Sequence, residues 1–131
     1  MTLEPVWLDR ADVVKIHARE IDRYGGSPGV LDDGAIDACL ARPITLFAYG
    51  VTDIFQLAAC YAYGFARRHC FVDGNKRTAF ASASFFLFDN GVLLRPVPAV
   101  GAELFVRLAA GDLPETDLAS ALYANSVRLP D

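Results

Sequence analysis

Two apolar helical segments joined by a short polar loop constrain the fold of this chain more than any other feature. In the first, which starts at Thr52 or Asp53, apolar residues recur at helical spacing: Ile54, Leu57, Ala58, Tyr61, Ala62 and Phe65. The second, from Asn75 to about Asn90, is apolar on nearly all sides, which is typical of a helix at the centre of a bundle. The sequence therefore predicts an all-α bundle with a buried central helix.

Two shorter helices are predicted before this pair. Asp9 is a good N-cap for the first, and the glycines at 25–26 end it. Its apolar residues are predicted to share one face: Val13, Ile16, Ile21 and Tyr24. The second begins at Asp32 or Asp33 and is predicted to end at Pro43, because proline disfavours helix continuation.

The C-terminal part completes the bundle. Gly91 is expected as the residue that ends the central helix, and residues 92–95 as a short extended piece. Helices are predicted at 100–110 and 115–127, separated by the Gly-Asp-Leu-Pro break at 111–114. The bundle then has about six helices.

Length and composition indicate one globular domain covering residues 1–131. Of the 131 residues, 53% are hydrophobic and 21% charged, which excludes a disordered chain. No apolar run approaches the roughly 20 residues of a membrane span. Residues 1–5 lack the basic and apolar regions of a signal peptide, so we expect a cytoplasmic protein with no membrane partner.

Charge and cysteine content exclude further classes. The formal net charge of −4 argues against direct nucleic-acid binding. The segment 67–77 is nevertheless locally basic, which suits a nucleotide, with Arg67, Arg68, Lys76 and Arg77 against Asp73. Cys39, Cys60 and Cys70 are odd in number and lack C-x-x-C spacing, so neither a zinc site nor a disulfide framework is indicated.

The polar loop at 69–78 is the candidate site. At Gly74 and Asn75 a new helix begins, and its first backbone N–H groups have no partners within the helix, which makes such an end an anion site. Lys76 and Arg77 oppose the helix macrodipole in that first turn. A phosphate group over the helix end would explain both cations.

Two further side chains in this loop are candidates for a metal ligand and a general base. Asp73 supplies a hard oxygen ligand where a magnesium ion would bridge a carboxylate and a phosphate. His69 can accept a hydroxyl proton near neutral pH. Together they indicate phosphate transfer to a hydroxyl. Taken singly, Asp73 could be only a helix N-cap and His69 only a cation at a helix C-terminus.

Three neighbouring residues receive structural interpretations. Phe71 is expected to anchor the loop to the core and not to contact a base. Cys70 is not expected to act as a nucleophile, because successive residues point in different directions. His17, on the first helix, is assigned no role.

One family signature resembles this loop. The Fic/Doc superfamily commonly carries H-P-F-x-[D/E]-G-N-G-R-x-x-R, and this chain has His69-x-Phe71-x-Asp73-Gly74-Asn75-Lys76-Arg77. The resemblance extends upstream to 23–29 and is greatest to the short Doc (death-on-curing) toxins of bacterial toxin–antitoxin pairs. It implies that the histidine is the general base, the acidic residue holds magnesium, and the glycine-asparagine turn and arginine cradle nucleotide phosphates. These roles map onto His69, Asp73, Gly74, Asn75 and Arg77.

Two of the departures from the common form bear on the chemistry. Lys76 replaces the second glycine, and Phe80 replaces the second arginine. Fic enzymes with the full motif usually transfer AMP, whereas the Doc branch, with lysine here, resembles a kinase that binds ATP in the opposite sense and transfers the γ-phosphate. An ammonium group suits a transferring phosphoryl group. We therefore expect phosphorylation, with Lys76 and Arg77 assisting His69, and AMP transfer as the alternative.

The resemblance also implies two protein partners. Doc relatives inactivate elongation factor Tu at a threonine, which suggests a protein hydroxyl of that kind as the target, and a flap formed by 25–29 or 43–52 would position it. Self-inhibited Fic proteins carry [S/T]-x-x-x-E-[G/N], which this sequence lacks. Inhibition is then expected from a cognate antitoxin, whose amphipathic helix fills an apolar groove. A non-catalytic module that binds only the antitoxin is a third interpretation, against which His69 and Asp73 argue.

Overall fold

Six helices and one small antiparallel sheet make up residues 3–130, the part of the chain that the computed structural model describes. Met1 and Thr2, in the segment predicted to lack a signal peptide, lie outside it, as does Asp131. The elements are α1 (Arg10–Tyr24), α2 (Asp33–Ala48), α3 (Ile54–Arg67), α4 (Asn75–Asp89), β1 (Val92–Leu94), α5 (Pro98–Ala110), α6 (Glu115–Ala124) and β2 (Ser126–Arg128). The predicted all-α fold with about six helices is confirmed. None of the helices in this range is long and apolar enough to cross a membrane.

Helices α3 and α4 pack against each other at the centre of the domain, and α1, α2 and α6 surround them. From α4, Ala79, Phe86 and Leu87 are fully buried, which confirms the predicted central helix. Helix α3 is buried at least as deeply, with Leu57 and Tyr61 inaccessible to solvent. The three cysteines are buried free thiols. The loop between these two helices is therefore fixed at both ends by the core.

Aspartates cap the first three helices: the predicted Asp9, Asp32 out of the two candidates Asp32 and Asp33, and Asp53 out of Thr52 and Asp53. Asp9, Asp32 and Asp53 each accept a hydrogen bond from a backbone N–H in the first turn of α1, α2 and α3. Gly25 ends α1, and Gly91 follows α4 at φ +83°. These boundaries depend on contacts between residues close in sequence, which explains why they were predictable.

Helix α2 continues past Pro43, so the prediction that this proline ends the helix is wrong. A proline inside a helix removes one hydrogen bond and costs about 3 kcal/mol in an exposed setting. Here the proline is buried. The preceding Arg42 donates to Oε1 of Glu115, at 2.8 Å, and thereby ties α2 to α6. Tertiary packing outweighs the local preference.

The last helix is shorter than predicted, because it ends at Ala124 and not at 127. Residues 126–128 form β2, which pairs antiparallel with β1 so that Val92 lies opposite Arg128. This pairing gives the backbone of the predicted extended piece its hydrogen-bond partners. The partner strand lies far along the chain and cannot be found from local periodicity.

Candidate active site

The loop between α3 and α4 is closed by a side chain of the helix that follows it. Asn75 accepts the backbone N–H of Phe71 through Oδ1 and donates through Nδ2 to the carbonyl of the same residue, each at 2.9 Å. Phe71 is buried, with 1% of its surface exposed, which confirms its predicted anchoring role. Cys70 is also buried, whereas His69 remains exposed at the end of α3.

Asp73 is exposed and holds two backbone N–H groups with its carboxylate. Oδ1 accepts from Gly74 at 2.8 Å, and Oδ2 accepts from Ser27 at 3.2 Å. These bonds, the Gly74 bond first, lower the pKa of the Asp73 carboxyl below its ordinary value. Asp73 does not cap α4, because the N-cap is Gly74. The carboxylate is ionised at neutral pH because its pKa is lowered. The alternative interpretation of Asp73 as only a helix N-cap is excluded.

The N-terminus of α4 has no side-chain cap. Gly74 adopts φ +76°, and a Cβ there would lie 3.0 Å from Cδ1 of Ile21 and 3.4 Å from Nη2 of Arg77. Glycine adopts this left-handed conformation without strain, whereas any other side chain would also require Ile21 or Arg77 to shift. The first-turn N–H groups of Asn75 and the two residues after it are left to face the cavity or solvent.

Two cations flank this helix end. Lys76 is exposed, and Arg77 is half-buried against α1, where its Nη1 donates to the carbonyl of Glu20 at 3.3 Å. The guanidinium carbon lies 6.0 Å from the ring centre of Tyr24. Tyr24 is 62% exposed, because it stands at the end of α1 beside Arg77.

One cavity of about 410 Å³ brings all the predicted site residues together. Its lining consists of Ala66, His69, Val72, Asp73, Gly74, Asn75, Lys76, Arg77 and Phe105. The volume lies in the range typical of small-molecule sites. The mixture of imidazole, carboxylate, two cations and open N–H groups can bind an anion and accept a proton beside it.

A single carboxylate lines this cavity, which bears on the predicted magnesium ion. Within residues 3–130 no group of three or more histidine, cysteine or acidic residues could hold a metal by itself. Magnesium is commonly held by one or two carboxylates together with substrate phosphates and water. The exposed, ionised Asp73 fits a magnesium ion that arrives with a nucleotide.

The loop at 25–32 lies beside the site. It contains 25–29, one of the two segments that the sequence offered as the flap. The N–H groups of Leu31 and Asp32 donate to the carbonyl of Cys70 at 2.8 and 3.1 Å, and Val72 donates to the carbonyl of Gly29 at 3.1 Å. The alternative flap segment, 43–52, belongs mostly to α2. The glycine-rich composition of 25–29 was the signal that could have decided between them.

His17 is the site residue that sequence reasoning missed. Its Nε2 lies 2.8 Å from the backbone carbonyl oxygen of Asp73, and its ring stacks on Phe71 with 3.9 Å between centroids and 7° between planes. The available signal was a histidine next to Ile16 on the apolar face of α1. A buried imidazole needs a hydrogen-bond partner, but the sequence does not show which residue provides it.

Fold and site together define a helical domain in which a loop carrying His69 and Asp73 leads into the uncapped N-terminus of the central helix α4. The chain belongs to the Fic/DOC family, whose model matches residues 7–87. Over 112 residues it is 39% identical to "Protein kinase doc" of Escherichia phage P1, covering 85% of this chain and 88% of the relative. Over 91 residues it is 43% identical to "Toxin Doc" of Mycolicibacterium smegmatis, covering 67% of each chain. The resemblance found in the motif is thus confirmed.

Proposed function

We propose that this protein is a Doc-type toxin that acts as a protein kinase and transfers the γ-phosphate of ATP to a protein hydroxyl. One observation carries the proposal: His69, Asp73 and the uncapped N-terminus of α4 line the same cavity. The relative from phage P1 is named as a protein kinase, which supports phosphate transfer over other reactions of the family.

The proposed phosphate site uses the main chain and two cations. The first N–H groups of α4 point along the helix axis, where a phosphate would accept them. The side chain of Asn75 is engaged with Phe71, so its contribution is its backbone N–H. Arg77, held against α1, supplies a fixed guanidinium, and exposed Lys76 a mobile point charge.

The proposed reaction is a displacement at the γ-phosphorus. The oxygen of the target hydroxyl forms a bond to phosphorus, while the bond between phosphorus and the bridging β–γ oxygen breaks and its electron pair leaves with ADP. His69 accepts the hydroxyl proton. A magnesium ion on Asp73 would neutralise charge on the phosphates.

Position 80 supports γ-phosphate transfer over AMP transfer. Phe80 is absent from the lining of the cavity and packs edge to face on Phe105, with 6.5 Å between ring centroids. A phenylalanine there offers no charge to a nucleotide phosphate, so the second arginine clamp of the common motif has no counterpart at this position.

The loop at 25–32 is proposed to receive the target. Val30, Leu31 and Val72 are exposed apolar side chains beside the cavity. A target segment laid along this loop would cover them and bring its hydroxyl towards His69. Elongation factor Tu is the proposed target to be tested first.

The test uses purified protein, elongation factor Tu and ATP labelled separately at the α and γ phosphates. We expect γ label on the elongation factor and no α label. Transfer of α label would replace the kinase proposal with AMP transfer. Absence of both labels, with nucleotide binding intact, would reject this target.

A groove between α1 and α4 is proposed to bind the antitoxin. It consists of two adjoining depressions of about 500 and 230 Å³ that share Arg19 and Phe85. Its larger part is aromatic and basic, and is lined among others by Arg19, Arg23, Tyr24, Phe80 and Phe85. Such a surface fits an amphipathic helix with acidic residues beside its apolar face. Because Arg77 and Phe105 line both the groove and the cavity, the bound helix would contact a nucleotide-binding residue.

Co-expression tests this assignment. The chain alone should arrest growth, and the product of a small neighbouring reading frame should restore it. The double variant Arg19→Glu with Arg23→Glu should stay toxic and escape rescue, while Arg95→Glu, an exposed arginine outside the groove, should be rescued normally. Normal rescue of the double variant would exclude this groove.

A further inference from the structure

His17 occupies a position that a stability role alone does not explain. It lies in the middle of α1 with 4% of its surface exposed, and it faces the candidate site across the helix interface. Since a carbonyl oxygen can only accept, Nε2 of His17 must carry the proton and donate to Asp73. The flat stack on Phe71 holds the ring in the orientation that this bond requires.

The acceptor carbonyl belongs to the peptide unit between Asp73 and Gly74. The C=O and N–H of a trans peptide point in opposite directions. With its C=O directed at α1 by His17, the unit directs the Gly74 N–H to the other side, where Oδ1 of Asp73 accepts it. The orientation of this peptide therefore determines one of the two hydrogen bonds that orient the carboxylate, the other being the bond from Ser27 to Oδ2.

Glycine makes this peptide easy to turn over. Gly74 is at φ +76° and has no Cβ to resist rotation of the peptide before it. A reversed peptide would remove the N–H from Oδ1 and direct a carbonyl oxygen towards the side where phosphate is expected. The bond from His17 opposes that reversal from α1.

We propose that His17 is a positioning residue that locks the Asp73–Gly74 peptide and thereby aims the Asp73 carboxylate into the nucleotide cavity. This inference rests on the proposed function for its catalytic consequence. The lock itself is a property of the protein without ligands.

Two variants separate the hydrogen bond from the stack. His17→Phe keeps a flat ring on Phe71 and removes the donor, whereas His17→Gln keeps an N–H at similar reach and removes the ring. In His17→Phe we expect the magnesium concentration for half-maximal transfer to rise roughly tenfold or more, as for other residues that orient metal ligands. His17→Gln should recover most of this loss. Ile16→Val, a buried change on the same helix, is the control for lowered stability and should leave the magnesium requirement unchanged.

Nuclear magnetic resonance tests the lock without nucleotide or metal. The ring ¹⁵N shifts of His17 in the unmodified protein should show a protonated Nε2. The Gly74 amide hydrogen should exchange with solvent faster in His17→Phe than in the unmodified protein or in His17→Gln. An unprotonated Nε2, or equal Gly74 exchange in all three proteins, would overturn the proposal.

The activity and resonance measurements also separate the two proposals. If the unmodified protein transfers no phosphate, the proposed function fails. The Gly74 exchange rates still show whether His17 holds the Asp73–Gly74 peptide in its orientation. If it transfers phosphate and His17→Phe and His17→Gln have equal magnesium requirements, the positioning role fails. If His17→Phe does not fold, the ring shifts of the unmodified protein still decide, because the proposal fails unless Nε2 carries the proton and donates it to the carbonyl of Asp73.

Discussion

Helices α1 and α4 solve the same backbone problem at their N-termini in opposite ways. In α1, the side chain of Asp9 accepts the N–H of Asp12 at 2.8 Å, and the side chain of Asp12 accepts the N–H of Asp9 at 2.9 Å. This reciprocal pair satisfies the helix end and places negative charge where the macrodipole favours it. In α4 no side chain caps the end, and Lys76 and Arg77 occupy the first turn.

The capped N-terminus of α1 contributes to stability, whereas the uncapped N-terminus of α4 is available for binding. The N-terminus of α1 is already satisfied by its own side chains. The open end of α4 is stabilised by burial of residues such as Ala79 in the core and by the Asn75 clamp on Phe71. Its N–H groups and cations gain their full stabilisation only when an anion is present.

The strongest test of the open end is His69→Ala. Removal of a general base should lower the rate of phosphate transfer by at least about 100-fold. Nucleotide affinity should change little, because the base acts in the chemical step. Transfer of γ label and calorimetric ATP binding measure the two quantities. Loss of ATP binding with the rate per bound complex unchanged would contradict the assigned role.

Asp73→Asn should have the next largest effect. A neutral amide is a weaker ligand for a hard cation, so the magnesium concentration for half-maximal transfer should rise roughly tenfold or more. A magnesium titration of the transfer rate measures it. If the requirement does not move, Asp73 is only a loop residue.

The same carboxylate predicts a pH dependence of stability. Its pKa is lowered in the folded protein by the N–H groups of Gly74 and Ser27. A carboxyl group with a lowered folded-state pKa stabilises the protein above its unfolded value, about 3.9 for aspartate, and loses this contribution as pH falls through the folded value. The melting temperature of Asp73→Asn should therefore fall below that of the unmodified protein at pH 6, and the two should converge as the pH falls through the folded-state pKa of Asp73. A constant difference across this range would show that the hydrogen bonds do not depend on charge.

A matched pair of glycine variants isolates the contact between the 25–32 loop and Asp73. Gly25 and Gly26 both have positive φ, so alanine at either position should destabilise the protein by about 1–3 kcal/mol. Only at Gly26 would the new Cβ meet the carboxylate, 2.6 Å from Oδ2 of Asp73; at Gly25 it would meet nothing within 4 Å. Gly26→Ala should reduce transfer several-fold and Gly25→Ala should not, as thermal melting and transfer rates can show. Equal activity of the two variants would exclude the contact as an influence on Asp73.

Asp9→Ala should have the smallest effect on activity and so completes the comparison. Loss of an N-cap typically costs about 1 kcal/mol of stability. The transfer rate measured well below the melting temperature should be unchanged, because Asp9 does not line the candidate cavity. A large loss of activity in the folded variant would mean that the two helix ends are coupled.

The residues that line the candidate site could be predicted where they are close together in the sequence. His69, Asp73, Gly74, Asn75, Lys76 and Arg77 lie within nine residues, and the structure places them around one cavity. His17 and Ser27 reach the same loop from α1 and the segment after it, at separations of 56 and 46 residues from Asp73. No local pattern reports such contacts, so the contact from His17 was missed, and the 25–29 segment that contains Ser27 was one of two candidates for the flap.

The sequence by itself determined the helix start at Asp9, the starts of α2 and α3 to within one residue, the buried central helix α4 and the family signature, because caps, periodicity and motifs are properties of neighbouring residues. Tertiary structure alone decided that α2 continues through Pro43, that β1 pairs with β2, and that His17 donates a hydrogen bond to the backbone of Asp73. In each of these cases a contact from a distant part of the chain either outweighs a local preference or supplies a partner. Such contacts form only when the helices pack.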